Sequence, residues 1–185
     1  MKIKRITFAI ISSIMIFSCG NPKSEKKTES EIIETKSEPT NLEKLEKESS
    51  RLRAGGSIKK VDFKNGKATI EYVKDYNEYK ELNPQSGLTK SDLDNYWSSG
   101  DAVEKALVDG SVRLMKKLDF LDQVEIILPN KGKEYSINVK KSELEKFVGS
   151  DFNTIKNNWD EKFSNPFVYN DNGRQKFFAE FGKRK

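Results

Sequence analysis

The stretch IKKVDFKNGKATIEY, residues Ile58–Tyr72, decides the fold class because its pattern is that of a complete β-hairpin. Ile58, Val61 and Phe63 precede the central Asn65-Gly66 pair, and after it apolar and polar residues alternate from Ala68 to Tyr72, which is the period of a half-buried strand. Asn-Gly also accepts the positive φ angles of a type I′ turn, a two-residue connection between antiparallel strands. We therefore expect two strands that are joined at Asn65-Gly66.

A second hairpin is predicted in the following part of the chain, around a turn at Pro129–Gly132. Apolar residues alternate with other residues on both sides of this turn. They are Val124, Ile126 and Leu128 before it and Tyr135, Ile137 and Val139 after it.

Between the hairpins, apolar residues recur at helical spacing and predict a core helix of about five turns with Asp101 as its N-cap. Its apolar stripe consists of Ala102, Val103, Ala106, Leu107, Leu114, Leu118 and Leu121. Gly110-Ser111, in the middle, either weakens the helix or lets its backbone approach a neighbour closely.

Further helices are expected after the second hairpin. Ser142 and Glu145 have the spacing of a capping box, and Gly149 stands where a C-cap glycine would be. Asp151 is the predicted N-cap of the next helix, which is followed by a break at Asn165-Pro166. The apolar face of that helix contains Phe152, Ile155, Trp159 and Phe163.

An aromatic segment follows a turn predicted at Asn170–Gly173. Residues Arg174–Phe181 form a short helix in this prediction, with Phe177, Phe178 and Phe181 on it. Such a segment usually completes a core, and the alternative is that it docks on a partner or a membrane. Together these elements predict an α+β domain: two β-hairpins form a four-stranded antiparallel or mixed sheet, on which the long core helix and the C-terminal helices pack.

The N-terminus has the pattern of an export signal. Lys2, Lys4 and Arg5 precede an apolar run of twelve residues, Ile6–Phe17, which is shorter than a membrane-spanning helix requires. Ile16-Phe17-Ser18-Cys19 resembles a lipobox, in which the Cys receives lipid before cleavage. The alternatives are an ordinary secretory signal or a short uncleaved anchor with an incidental Cys. We expect lipid on Cys19, because the single Cys of the chain lies at the position that the lipobox requires. Two or three acyl chains would then anchor the protein durably.

A polar segment rich in Lys, Glu, Ser and Thr follows Cys19. It lacks the apolar side chains that would offset the entropy of ordering it, so we expect disorder, with at most a transient helix over residues 41–53. The predicted organisation is a signal peptide over residues 1–18, a lipid anchor and disordered tether over 19–53, and a single α+β domain over 54–185.

Composition excludes several classes of function. The chain has 34 basic and 29 acidic residues, but three of the basic ones lie in the signal, so the rest is almost balanced and does not indicate a nucleic-acid-binding protein. It contains no His and one Cys, which removes the commonest general base, the commonest metal ligand and any internal disulfide. We therefore expect no cofactor and no metal. The Asp160-Glu161 and Asp171–Gly173 clusters lack the ligand series of a calcium loop.

The long connection between Asp75 and Leu93 is the predicted place for a binding surface, because long loops often carry function. Aromatic residues in or near it are the predicted binding residues, and the alternative is that their rings simply pack on the sheet. They are Tyr76, Tyr79, Tyr96 and Trp97, with Tyr72 close by.

Four acids flank the same region and could serve a hydrolase that uses carboxylates alone. They are Asp92, Asp94, Asp101 and Glu104. The alternative is that these acids stabilise helix N-termini.

The first hairpin, the helix start Asp101-Ala-Val-Glu-Lys-Ala-Leu and the strand Asp122-Gln-Val-Glu-Ile-Ile-Leu follow one another over residues 57–139. This segment, under half of the chain, resembles the GerMN-type domain of bacterial envelope proteins. The resemblance implies a non-catalytic envelope module and supplies no functional residues.

We therefore expect an exported bacterial lipoprotein, attached to the cell membrane or outer membrane, with a non-catalytic domain that binds an envelope protein or glycan. The alternatives are a carboxylate-dependent envelope hydrolase and a structural subunit of an envelope assembly.

Overall fold

A mixed sheet of five strands lies at the centre of residues 38–185, the part of the chain that the computed structural model describes. The strands lie side by side in chain order, with β2 and β3 parallel and all other neighbours antiparallel. Their bounds are β1 Ile58–Lys64, β2 Lys67–Tyr72, β3 Gln123–Asn130, β4 Lys133–Lys140 and β5 Gly182–Arg184. The α+β class and the mixed sheet agree with the prediction from the sequence.

The fifth strand was not predicted. β5 has three residues, Gly182–Arg184, and pairs with Tyr135–Ile137 of β4. It is too short for an apolar alternation and is defined only by contacts with a strand that lies far away in the sequence. Backbone hydrogen bonds between Glu134 and Lys185 extend the pairing by one residue.

Both predicted hairpins are present and have the same turn geometry. The φ angles are 49° at Asn65 and 75° at Gly66, and the same two values occur at Lys131 and Gly132. Positive φ at both central residues defines a type I′ turn, whose twist matches that of the paired strands.

Helices pack on one face of the sheet. Ala68, Ile70 and Tyr72 of β2 point into the core, whereas the alternate residues of that strand remain partly exposed. The helices are α1 Asn41–Ser49, α2 Tyr76–Leu82, α3 Lys90–Tyr96, α4 Gly100–Lys117, α5 Lys141–Val148, α6 Phe152–Asn157 and α7 Asp171–Phe181, with a π-helix over Asp160–Tyr169. Among residues 38–185, none of them has the length and apolar character that a membrane span requires.

The long helix α4 is the predicted core helix, with a different N-cap and an earlier end: Leu118 is its C-cap, and Leu121 of the predicted apolar stripe lies beyond it. Ser99 caps it by accepting a hydrogen bond from the backbone N–H of Ala102, whereas Asp101 binds Arg174. A Cβ atom on Gly110 would lie 3.1 Å from Cδ1 of Ile126 in β3. Gly110 therefore allows close packing of the helix on the sheet, which was one of the two predicted alternatives.

The segment before β1 is folded, whereas the sequence predicted a disordered tether up to residue 53. α1 begins after a capping box formed by Thr40 and Glu43, and Leu45 on its inner face is completely buried. Leu52 follows it and packs against Gly110. A helix of nine residues is marginal alone, and its stability here comes from docking. Residues 1–37, including the predicted signal, Cys19 and most of the predicted tether, lie outside the described residues.

The predicted caps of the later helices are only partly correct. Asp151 caps α6 and Gly149, with φ 71°, ends α5, as expected. The capping box of Ser142 and Glu145 is wrong, because α5 already begins at Lys141. Glu145 instead accepts a hydrogen bond of 2.8 Å from the backbone N–H of Phe152 at the start of α6.

The aromatic C-terminal segment completes the core. Phe177 is fully buried, and Phe178 and Phe181 are each 8 % exposed. The helix α7 starts at Asp171, earlier than predicted, with Asn170 as its N-cap.

Candidate functional site

A cleft of about 550 Å³ opens where the parallel strands β2 and β3 separate. Their pairing ends at Glu71 and Ile127, after which β2 turns toward α2 while β3 continues to Asn130 beside β4. The carboxyl ends of parallel strands are a common position for ligand sites. The residues that line the cleft are Ser57, Tyr72, Val73, Lys74, Asp75, Tyr76, Lys90, Leu93, Asp94, Asn95, Trp97, Ser98 and Leu128–Gly132.

Aromatic rings form part of the cleft wall and are held by specific contacts. The Tyr76 hydroxyl donates a hydrogen bond of 3.0 Å to the carbonyl oxygen of Leu88. Trp97 is 7 % exposed, and its ring meets that of Tyr72 edge to face with centroids 6.0 Å apart. These contacts fix the orientation of the wall before any ligand arrives.

The structure separates the four predicted binding residues. Tyr76 and Trp97 line the cleft. Tyr79 is 9 % exposed, and its hydroxyl pairs with that of Ser86 at 2.8 Å, so its ring belongs to the core. Tyr96 is 47 % exposed and lies edge-on to Trp97, with centroids 4.7 Å apart, but it is not part of the cleft lining.

The second hairpin contributes residues that the sequence did not indicate as functional. Asn130 and the turn residues Lys131 and Gly132 line the cleft opposite α3. Nδ2 of Asn130 donates a hydrogen bond of 3.3 Å to the carbonyl oxygen of Trp97, which joins the two walls. The only local signal at these positions is the turn itself, and their proximity to Trp97 follows from the parallel pairing of β2 and β3.

The charged groups of the cleft are mostly engaged in local structure. Asp75 caps α2 by accepting hydrogen bonds from the N–H groups of Asn77 and Glu78. Asp94 forms an ion pair with Lys90. The backbone N–H of Lys74 donates a hydrogen bond to Glu78, which lies outside the cleft lining, and this bond is the main reason that the pKa of Glu78 is lowered. Lys131 is exposed at the cleft mouth.

The four acids considered for a hydrolase do not form one catalytic group. Asp92 completes the capping box of α3 with Thr89, whose hydrogen bonds lower the pKa of the Asp92 carboxyl. Asp101 and Glu104 lie on α4 and face the buried Arg174 at 2.8 and 3.7 Å. Of these acids, only Asp94 lines the cleft.

The described residues offer no clustered ligand set for a metal. Within residues 38–185, no three or more acidic or Cys side chains are grouped closely enough to hold an ion. Asp171, in one of the clusters considered from the sequence, forms an ion pair of 2.8 Å with Arg174. The cleft combines aromatic and aliphatic side chains with hydrogen-bonding groups and exposed Lys side chains.

No family model matches the chain, and no curated protein or solved structure matches it either.

Proposed function

We propose that the chain is a membrane-anchored bacterial lipoprotein, exported to the cell envelope and attached to the cell membrane or outer membrane by lipid on Cys19. Support comes from the sequence: a basic start, a short apolar run and a lipobox-like Ile16–Cys19 contain the single Cys of the chain.

We further propose that the folded unit is a non-catalytic binding module whose ligand, an envelope protein or glycan, occupies the cleft beside α3. The observation that carries this proposal is the opening between β2 and β3, lined by Tyr76 and Trp97 and bordered by Asn130 and Lys131. Aromatic side chains beside several polar and charged groups suit a ligand that has both apolar and hydrogen-bonding surface. The resemblance of residues 57–139 to a GerMN-type envelope domain supports the same function.

The engagement of the cleft carboxylates supports binding rather than hydrolysis. Oδ1 of Asp75 accepts hydrogen bonds from two backbone N–H groups of α2, and Asp94 forms an ion pair with Lys90. A general acid in a glycosidase needs a carboxyl group with a raised pKa. Within residues 38–185, every carboxyl group with a clear shift has its pKa lowered, by hydrogen bonds at Glu43, Glu78, Asp92, Asp119 and Asp151.

The anchor is tested by metabolic labelling with a palmitate analogue in the producing bacterium. We expect label on the wild-type chain and none on Cys19→Ser. The matched control is the double variant Cys19→Ser/Asn21→Cys, in which the thiol lies two residues further along the chain. It should also remain unlabelled, because the lipid-transferring enzyme recognises a Cys only at its position in the lipobox. An unlabelled wild type, or a labelled double variant, would contradict lipidation at the lipobox.

The binding site is tested with the lipidated full-length chain and two probes, purified peptidoglycan fragments and photo-crosslinking to envelope proteins. We expect Tyr76→Ala and Lys131→Glu to reduce binding about tenfold or more, since both lie in the cleft lining. Tyr169→Ala is the matched control, because Tyr169 is 59 % exposed and lies outside the cleft. Equal effects of the three variants would contradict a site in the cleft. Cleavage of the fragments that is lost in Asp94→Asn would favour the hydrolase instead.

A further inference from the structure

Residues 49–57, here called the joint, run from the last residue of α1 to the start of β1. They contain several energetically unfavourable features. Oγ of Ser49 and Nε of Arg53 are buried without a hydrogen-bond partner. Nε of Arg53 lies 3.6 Å from Oδ2 of the buried Asp109, close enough for charge attraction but not for a hydrogen bond. Buried polar groups that lack partners destabilise the folded state.

The backbone of the joint is also strained. Ala54 has a φ of 51°, in the left-handed region that side chains other than those of Gly, Asn and Asp rarely adopt. At Gly55, a Cβ atom would lie 2.2 Å from the carbonyl oxygen of Ser50, so the chain folds back on the end of α1. Strained backbone of this kind is found at functional sites, switch regions among them.

α1 depends on this joint and on few inward contacts. Within the nine residues of α1, Leu45 and Ser49 are the buried ones, and Leu42 is 39 % exposed. A helix of this length is not stable by itself in water. The docked state of α1 is therefore held mainly by Leu45, with Leu52 of the joint beside it.

The joint is bonded directly to the cleft wall. The Tyr72 hydroxyl donates to the carbonyl oxygen of Arg53 at 2.8 Å, and the Val73 N–H donates to that of Ser57 at 2.8 Å. Tyr72, Val73 and Ser57 all line the cleft. Burial raises the pKa of Tyr72, so its hydroxyl keeps its proton and remains a donor at physiological pH.

A third bond ties the joint to α2. Nδ2 of Asn83, at the end of α2, donates a hydrogen bond of 2.9 Å to the carbonyl oxygen of Gly56. Carbonyl groups of the joint thus hold two residues of the cleft lining, Tyr72 and Val73, and the C-terminal end of α2, the helix whose first residue, Tyr76, also lines the cleft. Movement of the joint must break or distort these bonds.

We propose that α1 is a detachable strap, which undocks by rotation about the joint, and that its undocking loosens the wall of the cleft formed by the end of β2 and α2. This regulatory device does not depend on which ligand, if any, occupies the cleft. Local opening of this kind has its own free energy, below that of global unfolding.

Hydrogen exchange of the full-length chain, followed by mass spectrometry, tests the proposal. In the wild type, we expect the amides of α1 to exchange about 100-fold or more faster than those in the centre of α4, relative to their intrinsic rates. Ser49→Ala removes a buried unpartnered hydroxyl and should slow exchange in α1 about tenfold. Because this variant stabilises the docked state, the test does not depend on a chain that fails to fold.

Two further variants test transmission to the cleft. Leu45→Ala should speed exchange in α1, at Val73 and in α2 by more than it speeds exchange in the β3–β4 hairpin, where exchange changes only as far as global stability falls. Tyr72→Phe should speed exchange in α1 about fivefold, because the Arg53 carbonyl oxygen loses its donor. Tyr76→Phe is the matched control: it removes a hydroxyl from the same cleft wall, but one that is bonded to Leu88.

Equal protection of α1 and the centre of α4 in the wild type would overturn the detachable strap. Faster exchange in α1 of Leu45→Ala with unchanged exchange at Val73 and α2 would overturn transmission to the cleft. Transmission to the cleft would also be overturned if Tyr72→Phe and Tyr76→Phe changed hydrogen exchange in α1 equally.

Discussion

Gly173 is placed where no larger residue fits. It lies in the first turn of α7, under the backbone of the π-helix, and a Cβ atom there would lie 1.8 Å from the carbonyl oxygen of Pro166. The obstacle is backbone and cannot rotate away, so one of the two helices must move. We predict that Gly173→Ala lowers the free energy of unfolding by about 3 kcal/mol or more, as measured by urea denaturation.

The matched control for this change is Gly87→Ala. A Cβ atom on Gly87 would meet no atom within 4 Å, and Gly87 has no positive φ angle. We expect that substitution to alter the free energy of unfolding by about 0.5 kcal/mol or less, or to raise it slightly through the unfolded chain. Similar losses in both variants would show that the contact with Pro166 is not the cause.

Arg174 is the other residue on α7 whose replacement should be severe. Its side chain is completely buried. The guanidinium group donates a hydrogen bond of 2.9 Å to the Val168 carbonyl oxygen and one of 2.8 Å to each of the carboxylates of Asp101 and Asp171. Met would leave the carbonyl oxygen of the buried Val168 and the carboxylate of Glu104, which is 12 % exposed, without this cation. Asp101 and Asp171, by contrast, are more than half exposed and reach water. We predict that Arg174→Met costs about 3 kcal/mol in urea denaturation.

Arg184→Met provides the comparison, because Arg184 pairs with Glu104 at 3.0 Å and is half exposed. Exposed ion pairs contribute little, so we expect a loss of about 1 kcal/mol or less. If the two variants lost equal stability, the burial of Arg174 would not be the reason for its effect.

At the level of elements, carboxylates at helix N-termini should make stability depend on pH. Hydrogen bonds from Thr89 to Asp92 and from Thr154 to Asp151 lower the pKa of these two Asp residues from the ordinary value of 3.8. A lowered folded-state pKa gives stability that is present above the unfolded pKa and is lost as the pH falls through the folded value. We predict a urea midpoint that changes little between pH 7 and about pH 5 and declines below about pH 4.

The contribution of one cap can be isolated by substitution. Asp151→Asn keeps an acceptor for Thr154 but does not titrate, so the decline below about pH 4 should become shallower. Asn170→Ser, at the uncharged N-cap of α7, is the matched control and should leave the slope unchanged. An unaltered slope in Asp151→Asn would mean that other carboxylates cause the acid dependence.

The elements that the sequence predicts correctly are those with local causes. The first turn follows from Asn65-Gly66, a pair that accepts positive φ, and the second from the turn residues Pro129–Gly132 between two alternating stretches, although Lys131 there adopts a φ of 49° that its residue type does not favour. The Ser142–Glu145 prediction failed because Glu145 binds the N–H of Phe152, a contact that depends on how α5 and α6 pack. β5 likewise follows from pairing with a strand more than forty residues earlier in the chain.

The same distinction applies to the cleft. The aromatic residues Tyr76 and Trp97 were predicted from their place in or near a long connection over Asp75–Leu93. The structure forms the helix α2 and the start of α3 in that stretch, and it places both residues in the cleft lining. Asn130 and Lys131 were not predicted, because they join the cleft only through the parallel register of β2 and β3. Sequence patterns report the period within a strand and not which strands become neighbours.

At the level of the whole molecule, the extent of the folded unit is the main difference from the sequence-based expectation. Residues 38–185 form one compact unit, and α1 contributes the fully buried Leu45. Leu52, which is 7 % exposed, lies in the same stretch. The sequence-based boundary at residue 54 would therefore remove two core side chains and uncover the surfaces of α4 and β1 on which they pack.

Two truncations test this boundary. We predict that a chain of residues 38–185 unfolds at the same urea concentration as the full-length protein, because its compact unit is intact. A chain of residues 54–185 should lose about 4 kcal/mol or more, taking about 2 kcal/mol as the lower limit for each buried Leu. Within the full-length chain, Leu45→Ala should lose about 2–5 kcal/mol, whereas Leu42→Ala, at a 39 % exposed position of the same helix, should lose about 1 kcal/mol or less. Equal stability of the two truncated chains would contradict the contribution of α1, because a docked helix that buries Leu45 cannot be removed without loss.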